Sequence, residues 1–441
     1  MFLYELPELE DVLQNIVCED VFFSESDILD FTETIFQLLD DYLTDNPSTV
    51  TEPYFDEILL EEIREIIFIQ LEDYYVSEDD EMDIDELLEN ILQIYITCVI
   101  PCRSILQDIP LLNVEIEETE KEIEEEEIEE IEKKINLLRN MPLPLQRTDE
   151  WYKYRHNLIT ASNAYKAFES QSMVNQLIYE KCQPLKINTD EKKITNTNTT
   201  LHWGQKYESL SVMIYENLYG TKVEDFGCIP HSVYKCLGAS PDGIIVNKNS
   251  ERYGRMLEIK NIVNREITGI PKKEYWIQMQ LQMEVCDLDK CDFLETKFTE
   301  YIDSKSFYSD GDEKTIHNEM KGLILYFNND SNPFYVYKPL NITKYVEIDK
   351  WMEEMIDLYQ SKGLNWVRTI YWKLEKISCV LVLRNKEWFK NSVKQIEKVW
   401  NIIEKERITG YEHRAPNKKF KKDPFVSIGS NGCLLIKSTN V

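Results

Sequence analysis

The first 140 residues of this chain hold 42 Asp and Glu against 6 Lys and Arg, a net of −36, whereas the remainder holds 39 acids and 43 bases, a net of +4. Charge at that density cannot be buried, so the apolar residues of the segment must gather on narrow faces with the acids turned to water. Helices do this readily. "SESDILDFTETIFQLLDDYL", "EPYFDEILLEEIREIIFIQLEDYY" and "SEDDEMDIDELLENILQIYITCVI" each repeat apolar residues at helical spacing behind Ser or acidic starts suited to N-caps. The spacing predicts an acidic all-helical domain over residues 1–112. Residues 113–147 predict a single charged helix, with Ile123, Ile128, Ile131, Ile135 and Leu138 on one stripe, ended by the two prolines of "RNMPLPLQRT".

Because one block carries all of the acidic excess, the total of −32 does not exclude a polyanionic partner for the rest. From Trp151 onward helix and strand signals alternate. "HWGQKYESLSVMIYENLYG" predicts a helix with Tyr207, Leu210, Ile214 and Leu218 on one face, stopped by Gly220. "EDFGCIPH", "LGASPDGIIVN", "GRMLEIKN", "CDFLETKFTEY", "KGLILYFN" and "NPFYVYKP" read as strands, with the helix "PKKEYWIQMQLQMEVCD" among them. Residues 148–345 are therefore expected to form a mixed α/β core, residues 346–408 C-terminal helices, and 409–441 a basic, loosely ordered tail containing "NKKFKKD". The ten cysteines include no CxxC pair and no His at zinc spacing, which favours reduced structural thiols over a metal-thiolate site. No stretch reaches the roughly 18 to 20 apolar residues of a membrane span. "MFLYELPELEDVL" also lacks the basic flank of a signal peptide, so a soluble, intracellular protein with no membrane partner is expected.

The stretch "ASPDGIIVNKNSERYGRMLEIK" carries the chemistry. Strand periodicity puts Glu258 and Lys260 on one face of "MLEIK" and Leu257 and Ile259 on the other. Alone, such a pair is most simply a cross-strand salt bridge on an exposed hairpin. Asp242, however, stands in a "SPDG" turn, and the polar bend "NKNSERYG" folds it back toward Glu258 and Lys260. Two carboxylates beside an ammonium suit phosphodiester hydrolysis with Mg²⁺, the carboxylates as hard oxygen ligands and the lysine offsetting charge on phosphorus.

Asp242 followed by Glu258-Ile259-Lys260 resembles the PD-(D/E)xK nuclease superfamily. With "RTDEWYKYRHNLITAS", "WGQKYE", "ASPDG", "EIK" and "YWIQMQ" in this order over about residues 145 to 300, the chain looks like the lambda-type exonuclease branch, including the YqaJ-like viral recombinase family. The resemblance implies a restriction-endonuclease-like α/β core, a mixed sheet flanked by helices. It also implies Mg²⁺, replaceable by Mn²⁺, held by Asp242, Glu258 and the carbonyl of Ile259, with Lys260 beside it and Glu208 as a further charged member that bears on a second metal. Arg155, Ser162, Ser240 and Gln278 match residues that meet a terminal 5′-phosphate; Gln278 shares a helical face with Tyr275 and Gln282, whereas Gln280 points away. For Ser162 a plain helix N-cap is the competing reading.

What this implies is a 5′-to-3′ exonuclease on double-stranded DNA ends, acting in viral-type recombination or repair alongside a single-strand annealing or other recombination protein. A homo-oligomer is a further expectation, since related enzymes form rings, and cytoplasm, virus factory and nucleus stay open as compartments. Two alternatives stand beside it: a structure-specific endonuclease of the same fold, and a non-catalytic DNA-binding scaffold with a relict nuclease domain. For the acidic block, mimicry of DNA in a basic cleft and docking of a basic partner compete with a merely solubilising role.

Overall fold

The computed structural model describes residues 25–70, 78–107, 125–185, 197, 199–310, 320–329 and 332–416. Expectations for residues 1–24, for the acidic run before Glu125 and for "NKKFKKD" lie outside the described residues. The acidic segments form helices α1 (Glu25–Asp45), α2 (Phe55–Gln70) and α3 (Glu78–Cys98). Each turns one stripe inward: Ile35, Leu39, Leu59, Ile63, Leu88 and Ile91 are buried, and Glu33, Glu61, Glu62 and Glu89 between them are exposed. After β1 (Ile105–Leu106) comes α4 (Glu125–Arg139), which ends as "RNMPLP" begins and buries Ile135 and Leu138.

This block is not a separate body. Its buried residues run into one apolar cluster with Trp276, Trp388, Val393 and Ile396 of later helices. Arg103 joins the two parts: its guanidinium donates to Thr51 O (3.1 Å) and Pro271 O (2.5 Å), and its carbonyl accepts from Trp276 Nε1 (3.0 Å).

The α/β unit follows in the order α5 (Asp149–His156), β2 (Ile159–Thr160), α6 (Ala161–Ala164), α7 (Gln171–Cys182), α8 (Thr200–Leu218), β3 (Val223–Glu224), β4 (Ile229–Pro230), β5 (Leu237–Ala239), β6 (Gly243–Ile245), β7 (Met256–Ile262), α9 (Lys273–Cys286) and β8 (Lys290–Glu300). It continues through α10 (Ser304–Ser309), β9 (Lys321–Asn329), β10 (Asn332–Tyr337), α11 (Tyr345–Ser361), β11 (Asn365–Leu383) and α12 (Lys386–Thr409). The main sheet runs β10-β9-β11-β8-β7-β6-β3, with β1 added to β11. Only β7 and β8 are parallel in it, joined by α9 as a crossover helix packed on one face. The α8 face bearing Tyr207, Leu210, Ile214 and Leu218 packs with Phe298, Ile324 and Trp372, as its spacing predicts. A small second sheet, β2-β5-β4, lies beside the main one. The segment "EDFGCIPH" is thus divided between two sheets, with Asp225 in the connection.

One expectation is corrected. Residues 346–408 are not simply C-terminal helices: the 19-residue strand β11 lies between α11 and α12, in the middle of the sheet. "NWVRTIYWKLEKISCVLVL" is rich in β-branched and aromatic residues, and Arg368, Lys373, Glu375 and Lys376 obscure its alternation. Pairing decides: the first half of β11 lies against β9 and the second against β8, with irregular register at Trp366/Arg368 and Leu374/Lys376. The sheet core therefore extends past residue 345 to Leu383.

Candidate active site

Gly243 and Ile244 of β6 pair antiparallel with Leu257 and Met256 of β7, so the polar bend closes a hairpin. The hairpin fixes Asp242 twice. Its backbone N–H donates to Leu257 O (3.1 Å), and its Oδ2 accepts from the backbone N–H of Ile259 (2.7 Å). Leu257 and Ile259 pack with Tyr215 and Leu294 behind the sheet. Glu258, on the opposite face, is fully buried. Its Oε1 takes the Lys260 ammonium and Gln278 Nε2 (2.7 Å), and its Oε2 takes Gln282 Nε2 (2.7 Å).

A cleft of about 670 Å³ opens onto these groups. All nine residues singled out from the sequence line it: Arg155, Ser162, Glu208, Ser240, Asp242, Glu258, Ile259, Lys260 and Gln278. Thr148 caps α5 by accepting from Trp151 N (3.3 Å), and the helix carries Arg155, whose guanidinium lies 4.6 Å from the Trp151 ring and donates to Ser240 Oγ (2.9 Å). Glu208 comes from α8. Two expected roles change. Thr160, not Ser162, is the N-cap of α6, and Ser162 Oγ sits 3.2 Å from Thr160 Oγ1. Gln278 was expected on a phosphate; its amide instead grips Glu258, while Gln280 turns away to Leu383 O and Asn385 N.

Gln282, Arg147 and Asp225, which no sequence motif singles out, also line the cleft. The repeat "QMQLQ" puts Gln278 and Gln282 one turn apart, which was the signal for a second amide. Nothing local marked the other two. Asp225 is held by Gln146 Nε2 (2.9 Å) and by Gly227 N (2.8 Å).

Burial, and next the carboxylate of Glu258, push Asp242 well above the usual carboxylate range. Burial likewise raises Glu208, with Glu258 and Asp225 adding to it against the pull of Arg147. Burial alone would lower Lys260, but Glu258 and Asp242 outweigh it and hold the ammonium above its ordinary value. Lys260 is thus a donor at neutral pH. Among the described residues no three His, Cys, Asp or Glu side chains are already grouped closely enough to ligate a metal. The donor set still fits a hard dication: Mg²⁺ commonly takes one or two carboxylates plus substrate oxygens. An ion at Asp242 and Glu258 would relieve the mutual repulsion of these two carboxylates once the donors on Glu258 give way.

Residues 150–289 match the YqaJ-like viral recombinase domain. Among curated proteins, uncharacterized protein R354 of Acanthamoeba polyphaga mimivirus is 29 % identical over 307 residues, which is 61 % of this chain and 54 % of that protein. The chain thus spans about half the length of the curated relative it matches. Among solved structures, an alkaline exonuclease (LHK-Exo) from Laribacter hongkongensis aligns at 18 % identity and a TM-score of 0.32, over 60 % of this chain and 95 % of that one. The complex of LHK-Exo with dAMP aligns over the same shares at a TM-score of 0.33. No described helix is long and apolar enough to cross a membrane. The chain contains a YqaJ-like viral recombinase domain, and all four carboxylates that line the cleft belong to it.

Proposed function

We propose that the chain is a Mg²⁺-dependent deoxyribonuclease with a restriction-endonuclease-like core, degrading the 5′-ended strand of duplex DNA to mononucleotides. The 3′ single strand left behind would serve recombination or repair, with an annealing-type protein as partner. The observation that supports this reading is the meeting of Asp242, Glu258 and Lys260 in one cleft with the Arg155–Ser240 pair.

Asp242 and Glu258 are the residues that would hold the ion, with the Ile259 carbonyl beside them and Glu208 available to a second one. Mn²⁺ would serve in place of Mg²⁺. The bound ion supplies a Lewis acid for the phosphoryl group and a water of lowered pKa. Lys260, held in its ammonium form, donates to the attacking water or to a phosphoryl oxygen and offsets the charge that develops there. Arg155 offers a planar fork to the terminal phosphate, and Ser240 and Ser162 orient that phosphate without adding charge.

The test is a linear duplex with Mg²⁺ and the purified full chain, comparing 5′-phosphorylated with 5′-hydroxyl ends and wild type with Asp242→Ala. Degradation from phosphorylated ends that disappears in the variant is expected. Activity surviving in Asp242→Ala would sink the site assignment, and indifference to the end phosphate would sink the exonuclease reading.

A further inference from the structure

We infer that Arg407 and Lys181 are positioning residues for Arg155, so that α12, outside the recombinase domain, sets the preference for a phosphorylated DNA end. The inference rests on the nuclease reading above.

In a chain of net charge −32, a cation sheltered from water has many carboxylates to choose from. Arg155, Lys181 and Arg407 converge, yet among the described residues none of the three forms an ion pair. The neighbouring acids are engaged elsewhere: Glu180 pairs with Lys166 at 2.8 Å and Glu406 with Arg414 at 2.6 Å. Backbone carbonyls hold the cations instead. Arg407, in the last turn of α12, donates to Lys181 O through Nε (3.0 Å) and Nη2 (2.9 Å) and to His156 O through Nη2 (2.8 Å). Its Nη1 donates to Asn157 Oδ1 (3.1 Å). Lys181, buried at 7 % exposure, donates to Arg155 O (2.8 Å).

Those carbonyls of Arg155 and His156 end α5, where the helix dipole is negative and the last acceptors lack intrahelical partners, although Arg155 O also accepts from the Leu158 N–H (3.3 Å). An uncovered end there would repel a phosphate at Arg155. Lys181 and Arg407 cover it and fix the turn that carries Arg155. Among the described residues the Arg155 guanidinium has one neutral protein acceptor, Ser240 Oγ, and the Trp151 ring. It is held in place but not neutralised, the condition an anion site requires. A purely structural clasp between α12 and α7 would serve equally well with carboxylate partners.

The experiment measures binding rather than cleavage: fluorescence anisotropy of the full-length protein in EDTA with duplexes carrying 5′-phosphate or 5′-hydroxyl ends. Wild type is expected to bind the phosphorylated end about tenfold more tightly. Arg407→Ala and Lys181→Met are each expected to cut that preference about fivefold by weakening the phosphorylated complex alone, and Arg407→Lys to regain part of it. Should Arg407→Ala fail to fold, Lys181→Met and Arg407→Lys carry the comparison. A preference kept within about twofold in the variants, with only Tm lowered, overturns the inference and leaves the pocket reading standing. A wild type indifferent to the phosphate overturns the pocket reading and this inference with it.

Discussion

Gln282 Nε2 lies 2.7 Å from Glu258 Oε2, and Gln278 Nε2 lies 2.7 Å from Oε1 of the same carboxylate. Two amides one helical turn apart thus clamp a buried carboxylate that also touches the Lys260 ammonium. For a metal ion to reach Glu258, at least one of these donors must yield.

Gln282→Ala leaves Glu258 Oε2 buried without that donor, which costs roughly 1–3 kcal/mol. An ion on Glu258 would replace the missing partner. Urea titrations with and without Mg²⁺ are expected to show a larger stabilisation by Mg²⁺ in the variant than in wild type. Equal stabilisation in the two would mean that the ion does not contact Glu258.

Asp242→Asn keeps an acceptor for the Ile259 N–H and removes a charge that burial and Glu258 oppose. A carboxyl whose folded pKa is raised contributes stability that is complete below its unfolded pKa and lost as pH rises through the folded value. In EDTA the variant should therefore gain on wild type between pH 5 and pH 8 in urea midpoint, while its Mg²⁺-dependent nuclease rate collapses. A variant that loses ground over that pH range contradicts the electrostatic account of the site.

The hairpin was legible because its information is local: period two separates Glu258 and Lys260 from Leu257 and Ile259, and a turn brings Asp242 back. Gln278 was found by its helical face, but its partner Glu258 was not, since a glutamine offers the same amide to a phosphate or a carboxylate. The strand β11 was missed because interspersed charges hid its alternation and only its partners β8 and β9 decide its state. Arg407 gave no signal at all: its acceptor His156 is 251 residues away, and nothing near either residue encodes their meeting.

Deleting residues 1–140 removes more than a candidate DNA mimic, because the block shares the apolar interior of Trp276 and Trp388. No described residue before Gln146 lines the cleft. The truncated protein is expected to be aggregated or molten, with ANS binding and lost near-UV dichroism. A cooperative, soluble truncation would show that the block is an appendage after all.

The long bend between β6 and β7 is anchored inward. Asp292, fully buried, pairs with Arg252 and, at 3.1 Å, with Arg255, and accepts from Tyr215 Oη (2.5 Å) on the face opposite Glu258. Asp292→Asn strands two arginines, a loss of roughly 3–5 kcal/mol by comparison with other broken buried pairs. Denaturation should show that loss, with DNA-end affinity preserved under conditions where the variant is folded. A selective drop in affinity would give the bend a role at the DNA.

Lys181 supplies the clearest pH signature. Burial, with the charges of Arg155 and Arg407, pushes it down to about 8 from an ordinary 10.5. Between those values the unfolded chain binds more protons than the folded one, so Lys181 adds stability as pH rises through this window and loses it as pH falls. At about 1.4 kcal/mol per unit, wild type should gain roughly 2–3 kcal/mol on Lys181→Met between pH 7.5 and 10. Lys338, which burial also lowers to about 8, is untouched by the substitution and remains as an internal reference. Urea titrations at the two pH values measure the difference directly. If wild type and variant change in parallel, Lys181 is not held as a desolvated cation, and the cover it gives the end of α5 is weaker than its 2.8 Å contact with Arg155 O implies.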